Sequence, residues 1–435
     1  MKKISFCINT SRNEREYLLL LLNSLKENTQ IENHEVLIFI DSDNQKTYRT
    51  LIKYKETIPD LKICKNTKCP LGHQRNSAIL FNEAKNDIIC YLQSDMVVGP
   101  NFDQHIIKNL TDENTVLSCA RIEPPIHPES PEKITKDFGL EPDNFKYDEF
   151  KTFVSELQKE NRPNIKGHFA PFAVYKKTWF DKLGSFDTQF RCSREDSDTI
   201  IRMHLLGLNL IQSWNACVYH FTCVSSRGTG WYKDDEAAKY KNDLQNKADE
   251  QELKRFFRKW GYFGHLPKPV YDVTFSINLD HFADLNLLKA IEPYCTRMYL
   301  NDLKVVQQLR SQLEFESYYY SNLRWKYTKE YWEENKQFFF LNDFNDRIRY
   351  VGDKAWKIEE KEGDSMVIFK NSDLKKNPQE GFKILTSIQD LIDDTNIGTY
   401  EHGFFKFYIR EKNNLQKEKI KFDYKKILTG DFKFE

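Results

Sequence analysis

The sequence predicts an α/β protein built on an open sheet, followed by a second α/β or α+β domain. Three observations carry this prediction. Residues 4–8, 35–40 and 88–92 are apolar runs short enough to be buried strands. Leu18, Leu21, Leu22 and Leu25 recur at helical spacing between the first two, which makes residues 4–43 one β-α-β unit. Each run also ends in polar residues: Asn9-Thr10-Ser11, Asp41-Ser42-Asp43 and Gln93-Ser94-Asp95.

At 435 residues the chain exceeds one ordinary core, and two or three domains are expected. Lys+Arg 65 balances Asp+Glu 65, so no broad field favours nucleic acid or an anionic membrane. Nine cysteines without a CxxC pair point to free buried thiols in a reducing compartment, and a cytoplasmic location is expected. No apolar run approaches the roughly 20 residues of a spanning helix, so no transmembrane segment is expected.

Along the chain, Ser11 with Glu14 three residues on reads as a capping box for the first helix. Residues 61–64 form a third short strand. Gly72 opens a polar turn before a helix over 74–85, where Ala78, Phe81 and Ala84 share a face. A strand is expected around 116–118, followed by a proline-rich break at 123–128 and an extended, partly helical excursion over 124–165 that could meet an acceptor. A short helix over 178–183 stops at Gly184. The next helix carries Glu195, Asp196 and Asp198 in its first turn, with Ile200, Ile201, His204 and Leu205 on its apolar side. Residues 209–212 and 217–221 read as two strands, the second bearing His220. The loop 225–230 contains glycine but lacks P-loop spacing, and a charged helix over 234–259 closes the unit.

Pro267 and Pro269 mark a boundary, giving domains 1–265 and 270–435. In the second, strands are expected at 271–277, 297–300, 337–341, 366–369 and 404–409, with helices near 285–291 and 388–393. No catalytic constellation stands out there. The aromatic stretch 315–340 suits packing better than stacking on sugars or bases, and residues 417–426 read as a solvated basic face.

Ligands of open α/β sheets sit beyond the carboxyl ends of the strands, so Asp95 is well placed for a metal or a phosphate-bound ligand. Asp, Asn and Ser also make turns and caps, which is the plainer account of any one strand end. Acids in a first helical turn complement the helix dipole. Three within four positions also repel one another, which favours a cation or a proton-accepting role. A lone His in an apolar strand is ordinarily a core residue, and His220 needs a partner to be more.

Taken together, residues 4 to about 223 resemble the inverting family 2 glycosyltransferases. The resemblance implies a GT-A, nucleotide-diphospho-sugar transferase fold with a Rossmann-like mixed sheet, and it covers the N-terminal half only. It implies that Thr10, Arg12, Asp41, Asp43, Arg75, Gln93 and Ser94 serve the nucleotide-sugar. Asp95 is implied to bind a divalent metal, Mn²⁺ or Mg²⁺, as the final acid of a D-x-D motif whose first acid is replaced by Gln93. His220 is implied to complete the metal shell. Glu195-Asp196 matches the family's Glu-Asp motif, with Asp196 as general base. The implied partners are a nucleoside-diphosphate sugar, a UDP-sugar favoured, and a glycan or other hydroxyl acceptor; the implied role is carbohydrate biosynthesis. Two other readings stand beside this one. Gln93 and the aromatic C-terminal half allow a catalytically degenerate nucleotide- or carbohydrate-binding module. A sugar-phosphate nucleotidyltransferase fits less well, because residues 9–15 contain no glycine.

Overall fold

The computed structural model describes residues 2–10, 14–40, 45–65, 73–167, 171–187, 190, 193–222, 224, 250–280, 283–325, 344–352, 363–420 and 433–435. The side chains of residues 45, 73–75 and 317–325 lie outside that description. The chain divides into two compact units, one of residues 1–243 with 325–328 and 422–435, the other of residues 244–324 with 329–421.

The first unit is a mixed sheet with order β3-β2-β1-β4-β9-β6-β10-β5, to which β7 adds beside β6 and β8 beside β10. Its parallel half is β1 (Ile4–Thr10), β2 (Glu35–Ile40), β3 (Leu61–Lys65) and β4 (Ile88–Gln93). β1 is central, paired in parallel with β2 on one side and β4 on the other. β1 and β2 are buried at every residue, as expected of strands covered on both faces, and for this reason they read as unbroken apolar runs rather than alternating ones. Helices α1 (Arg15–Asn28), α2 (Gln45–Tyr54) and α3 (His73–Glu83) connect them. Leu18, Leu21, Leu22 and Leu25 of α1 enter the core with Ile4, Phe6 and Ile8 of β1.

The mixed half follows. β5 (Met96–Val98) leads into α4 (Phe102–Asn109) and β6 (Thr115–Glu123), longer than expected from its sequence. The excursion after β6 contains β7 (Lys133–Thr135), α5 (Tyr147–Lys159) and β8 (Ile165–Lys166). Phe150, Val154 and Leu157 of α5 are buried against Val97, Ala120 and Tyr219, so the segment is part of the core rather than a surface loop. β9 (Phe172–Tyr175) runs into α6 (Lys176–Thr178) and a π-helical turn, Trp179–Leu183. Gly184 ends that turn at φ 79, the left-handed region that glycine enters without strain. α7 (Glu195–Leu205) then precedes β10 (Asn209–His220).

Two expectations are corrected. Residues 209–221 form one strand, not two: β10 stays paired with β6 across an irregularity between Ser213 and Cys217. The first helix begins at Arg15 with Glu14 at its N-cap position, and Ser11 of the expected capping box lies outside the described residues. Glu14 accepts a long-range hydrogen bond from Ser94 Oγ. On α7, Met203 is fully buried while His204 and Leu205 are only half-buried.

The second unit is a sheet with order β13-β12-β11-β14-β16-β15. β11 (Val273–Asn278), β12 (Arg297–Leu300), β13 (Ile348–Tyr350) and β14 (Ser365–Lys370) are parallel, and the hairpin β15 (Gly398–His402)–β16 (Phe405–Ile409) closes one side antiparallel. Residues 250–260 form helix α8 of this unit. α9 (Leu285–Ile291) and residues 388–394 are helical as expected, whereas the helix α10 (Leu303–Trp325), β13 and β15 were not read from the sequence. The expected strand at 337–341, the loop 225–230, most of the charged helix 234–259 and most of the aromatic stretch lie outside the described residues. Glu292 is fully buried between Arg258 and Arg347, at 2.7 and 2.8 Å; burial alone would raise its pKa, but the two guanidiniums hold it at about 2.

No helix among the described residues is long and apolar enough to cross a membrane. Cys7, Cys64, Cys90, Cys119, Cys217 and Cys295 are free and buried.

Candidate active site

The carboxyl ends of β1 and β4 lie side by side, with Asn9 opposite Gln93. Thr10, the last residue of β1, is buried. Asn9 Nδ2 donates to Ser77 Oγ of α3. The Tyr91 hydroxyl hydrogen-bonds both Ser77 and Gln93, and burial, followed by the charges of Asp196 and Glu195, pushes its pKa well above the usual range. Tyr91 and Gln93 share one face of β4, as residues two apart on a strand do. A chain of polar side chains thus supports this edge from below.

Beyond β4 the turn is held at two points. Ser94 is bound to Glu14, and the Asp95 carbonyl accepts a hydrogen bond from the Phe221 amide at 3.0 Å. β5 then pairs antiparallel with β10, setting Met96 opposite His220. That register brings together two residues far apart in sequence: His220 Nε2 lies 3.7 Å from Asp95 Oδ2.

On its other side, His220 Nδ1 lies 2.9 Å from Glu123 Oε1 at the end of β6. Glu123 is 3 % exposed, and it also receives Arg121 Nη1 at 3.2 Å and Lys133 Nζ at 3.1 Å. Burial favours its neutral form, but the His220 hydrogen bond and the cations Arg121 and Lys133 prevail and hold its pKa at about 2.

Asp196 stands in the first turn of α7, where Arg121 and His220 both act on its charge. Burial is the larger influence, and its pKa is raised to about 6. Its surroundings explain this, since it lines a small pocket with the apolar Val116, Phe172, Ile200 and Met203. Asp198 has different surroundings. It is fully buried with Arg202 Nη1 at 3.6 Å, and Arg202 also donates to the carbonyls of Ser185 and Leu183. Asp198 therefore serves the fold of this helix. Two residues beside the site carry backbone strain, Arg194 at φ 68 just before α7 and Thr222 at φ 53 just after His220.

Of the residues singled out from sequence, Thr10, Gln93, Ser94, Asp95, Glu195, Asp196 and His220 are described, and Asp95, His220 and Asp196 fall in one electrostatic neighbourhood. Arg12, Asp41 and Asp43 lie outside the described residues, as does the side chain of Arg75 on α3. Glu123, Arg121 and Tyr91 were missed. Glu123 stands directly before Pro124-Pro125, and read locally it was only the edge of a break.

Among the described residues, no group of three His, Cys, Asp or Glu side chains is arranged to hold a metal. Asp95 and His220 offer one carboxylate oxygen and one imidazole nitrogen from adjacent positions. That pair suits Mn²⁺ or Mg²⁺ when a bound diphosphate and water supply the remaining oxygens.

Residues 7–184 match the model of glycosyl transferase family 2. The N-terminal unit carries a family 2 glycosyltransferase domain. Its sheet is a mixed α/β one. Solved structures similar to the chain include TarS of S. aureus, at 13% identity over 74% of this chain and 53% of that one, TM-score 0.39. GalNAc-T7 with UDP, GalNAc and Mn²⁺ matches at 12% identity over 59% and 50%, TM-score 0.40. The mannosyltransferase PcManGT from Pyrobaculum calidifontis, in complex with GDP-Man and Mn²⁺, matches at 16% over 61% and 65%, TM-score 0.38. The chain thus spans about half the length of the first two. No curated protein matches it.

Proposed function

We propose that the transferase domain moves a sugar from a nucleoside-diphosphate sugar to an acceptor hydroxyl with inversion at the anomeric carbon. The observation that carries this is Asp95 and His220 standing 3.7 Å apart at the carboxyl edge of the sheet of a family 2 domain, with Asp196 near enough for the charge of His220 to act on it. Asp95 and His220 would hold a divalent cation, which when bound neutralises charge on the departing diphosphate. Asp196 accepts the acceptor hydroxyl's proton as its oxygen attacks the anomeric carbon from the face opposite the leaving group. A pKa of about 6 suits this role, because the carboxylate is ionised near neutrality yet basic enough to take a proton. In this reading Thr10, Arg12, Asp41 or Asp43, Arg75, Gln93 and Ser94 serve the nucleotide-sugar, and Glu195 flanks the base. A UDP-sugar is the favoured donor and a glycan the favoured acceptor, handled in the cytoplasm. The second compact unit serves as an accessory domain in this reading.

The test is release of nucleoside diphosphate from a panel of nucleoside-diphosphate sugars with Mn²⁺ or Mg²⁺. Asp196→Asn should keep donor binding and lose turnover by at least about 100-fold. Unchanged turnover in that variant would remove Asp196 as the base. A second reading follows from Gln93, which leaves Asp95 as the one acid of the 93–95 triplet: a binding module that holds the nucleotide-sugar without turning it over. Metal-dependent release by the wild type decides against it.

A further inference from the structure

We infer that Glu123 is a positioning residue for the candidate cation site, fixing His220 in the tautomer whose Nε2 is free to bind. This deepens the reading above and rests on it for the identity of the cation, not for the geometry.

A carboxylate can only accept, so the 2.9 Å contact between Glu123 Oε1 and His220 Nδ1 requires the hydrogen on Nδ1. Nε2 is left as the ring atom facing Asp95, 3.7 Å from its Oδ2. With Nε2 bare, two acceptors face each other, and something positive must stand between them. A divalent cation satisfies both, and without one a second proton on Nε2 does the same. Histidines that bind metals commonly donate their second ring N–H to a carboxylate or carbonyl, which sets the tautomer and raises basicity.

The rest of the Glu123 environment serves the same end. Oε1 is shared with Arg121 Nη1 at 3.2 Å, and Oε2 receives Lys133 Nζ at 3.1 Å, so the carboxylate is held from two sides. Lys133 belongs to β7, which pairs with β6 in parallel with Lys133 opposite Arg121. Its ammonium also lies 3.4 Å from the His127 carbonyl. Glu123 thereby links the segment after β6 to the imidazole, and the orientation of His220 depends on a strand added by the 124–165 excursion.

The experiment combines ¹⁵N NMR of the histidine rings with Mn²⁺ titration of the full chain. The wild type should show the His220 ring with Nδ1 protonated, and with Nε2 bare once a divalent cation is bound. Glu123→Gln should lose that preference and weaken Mn²⁺ binding by about 10–100-fold. A wild-type ring protonated at Nε2 with Nδ1 bare would overturn the inference, as would a Glu123→Gln variant with unchanged ring signals and unchanged Mn²⁺ affinity. If the wild type binds no divalent cation, the metal part of the proposed function fails, while the tautomer still decides the role of Glu123. The wild-type ring state needs no variant to fold.

Discussion

Asp95 and His220 are separated by about half of the first unit in sequence, yet the β5–β10 register places Asp95 Oδ2 and His220 Nε2 3.7 Å apart. Both are partly exposed, with side chains 13% and 11% accessible, so a ligand can reach them. Asp95→Ala should therefore weaken metal-dependent nucleotide binding by at least about 10-fold. Titration of Mn²⁺ and nucleoside diphosphate into the variant checks it.

The pH dependence follows from Asp196. Burial raises its pKa to about 6, so the ionised base is lost as pH falls through that value. Turnover should rise with pH to a plateau above about 7, and Asp196→Glu should shift the midpoint. Folding carries the opposite sign. Between the ordinary aspartate value of 3.8 and about 6 the folded state holds a proton that the unfolded state has released, so this residue makes the protein less stable as pH rises. Asp196→Asn should raise stability at pH 7 by about 1 kcal/mol or more. Chemical denaturation of the variant at pH 4 and pH 7 checks the sign.

Asp198 sits two residues away and should behave as a stability residue. Asp198→Ala leaves the Arg202 guanidinium fully buried without the carboxylate 3.6 Å away. Breaking a buried pair in this way costs about 3–5 kcal/mol. The signature is a large drop in melting temperature, in contrast with the effect of Asp196→Asn.

Gly167 gives a packing prediction. A Cβ at this position would come within 2.6 Å of the Ile211 backbone on β10, while the Gly167 amide already donates to the Leu210 carbonyl at 2.9 Å. Gly167→Ala should destabilise by about 1–3 kcal/mol, because backbone on both sides must shift. Thermal unfolding checks it, with Gly207→Ala as a comparison in which the added Cβ meets nothing within 4 Å but must adopt φ 70.

The parallel half of the first sheet was legible because its strands are buried on both faces and connected by short helices. β2 was read to the residue, and β1, β3 and β4 to within two. The strand ends gave Asp95 for the same reason. What escaped was long-range. Glu14 was read only for its spacing from Ser11, and its bond with Ser94, 80 positions on, left no local mark. Glu123 has no local signal at all, since its role arises from β6 lying beside β10 and bringing it to His220. β10 read as two strands because the polar break at its centre is an irregularity in a ladder that continues beyond it. α10 did carry a signal, with Val306, Leu309 and Leu313 on its buried face, but the aromatics in the second half of the segment drew the reading towards composition.

The central claim is that this edge binds a nucleoside diphosphate together with a divalent cation. The most direct measurement is thermal unfolding of the full chain with a panel of nucleoside diphosphates, each with and without Mn²⁺. A ligand bound only by the folded state at 100 times its dissociation constant adds about 2.7 kcal/mol. The account predicts a clear rise in melting temperature with UDP and Mn²⁺ together, a smaller one with either alone, and loss of the cooperative part in Asp95→Ala. No shift with any nucleoside diphosphate, in the presence or absence of Mn²⁺, would contradict it.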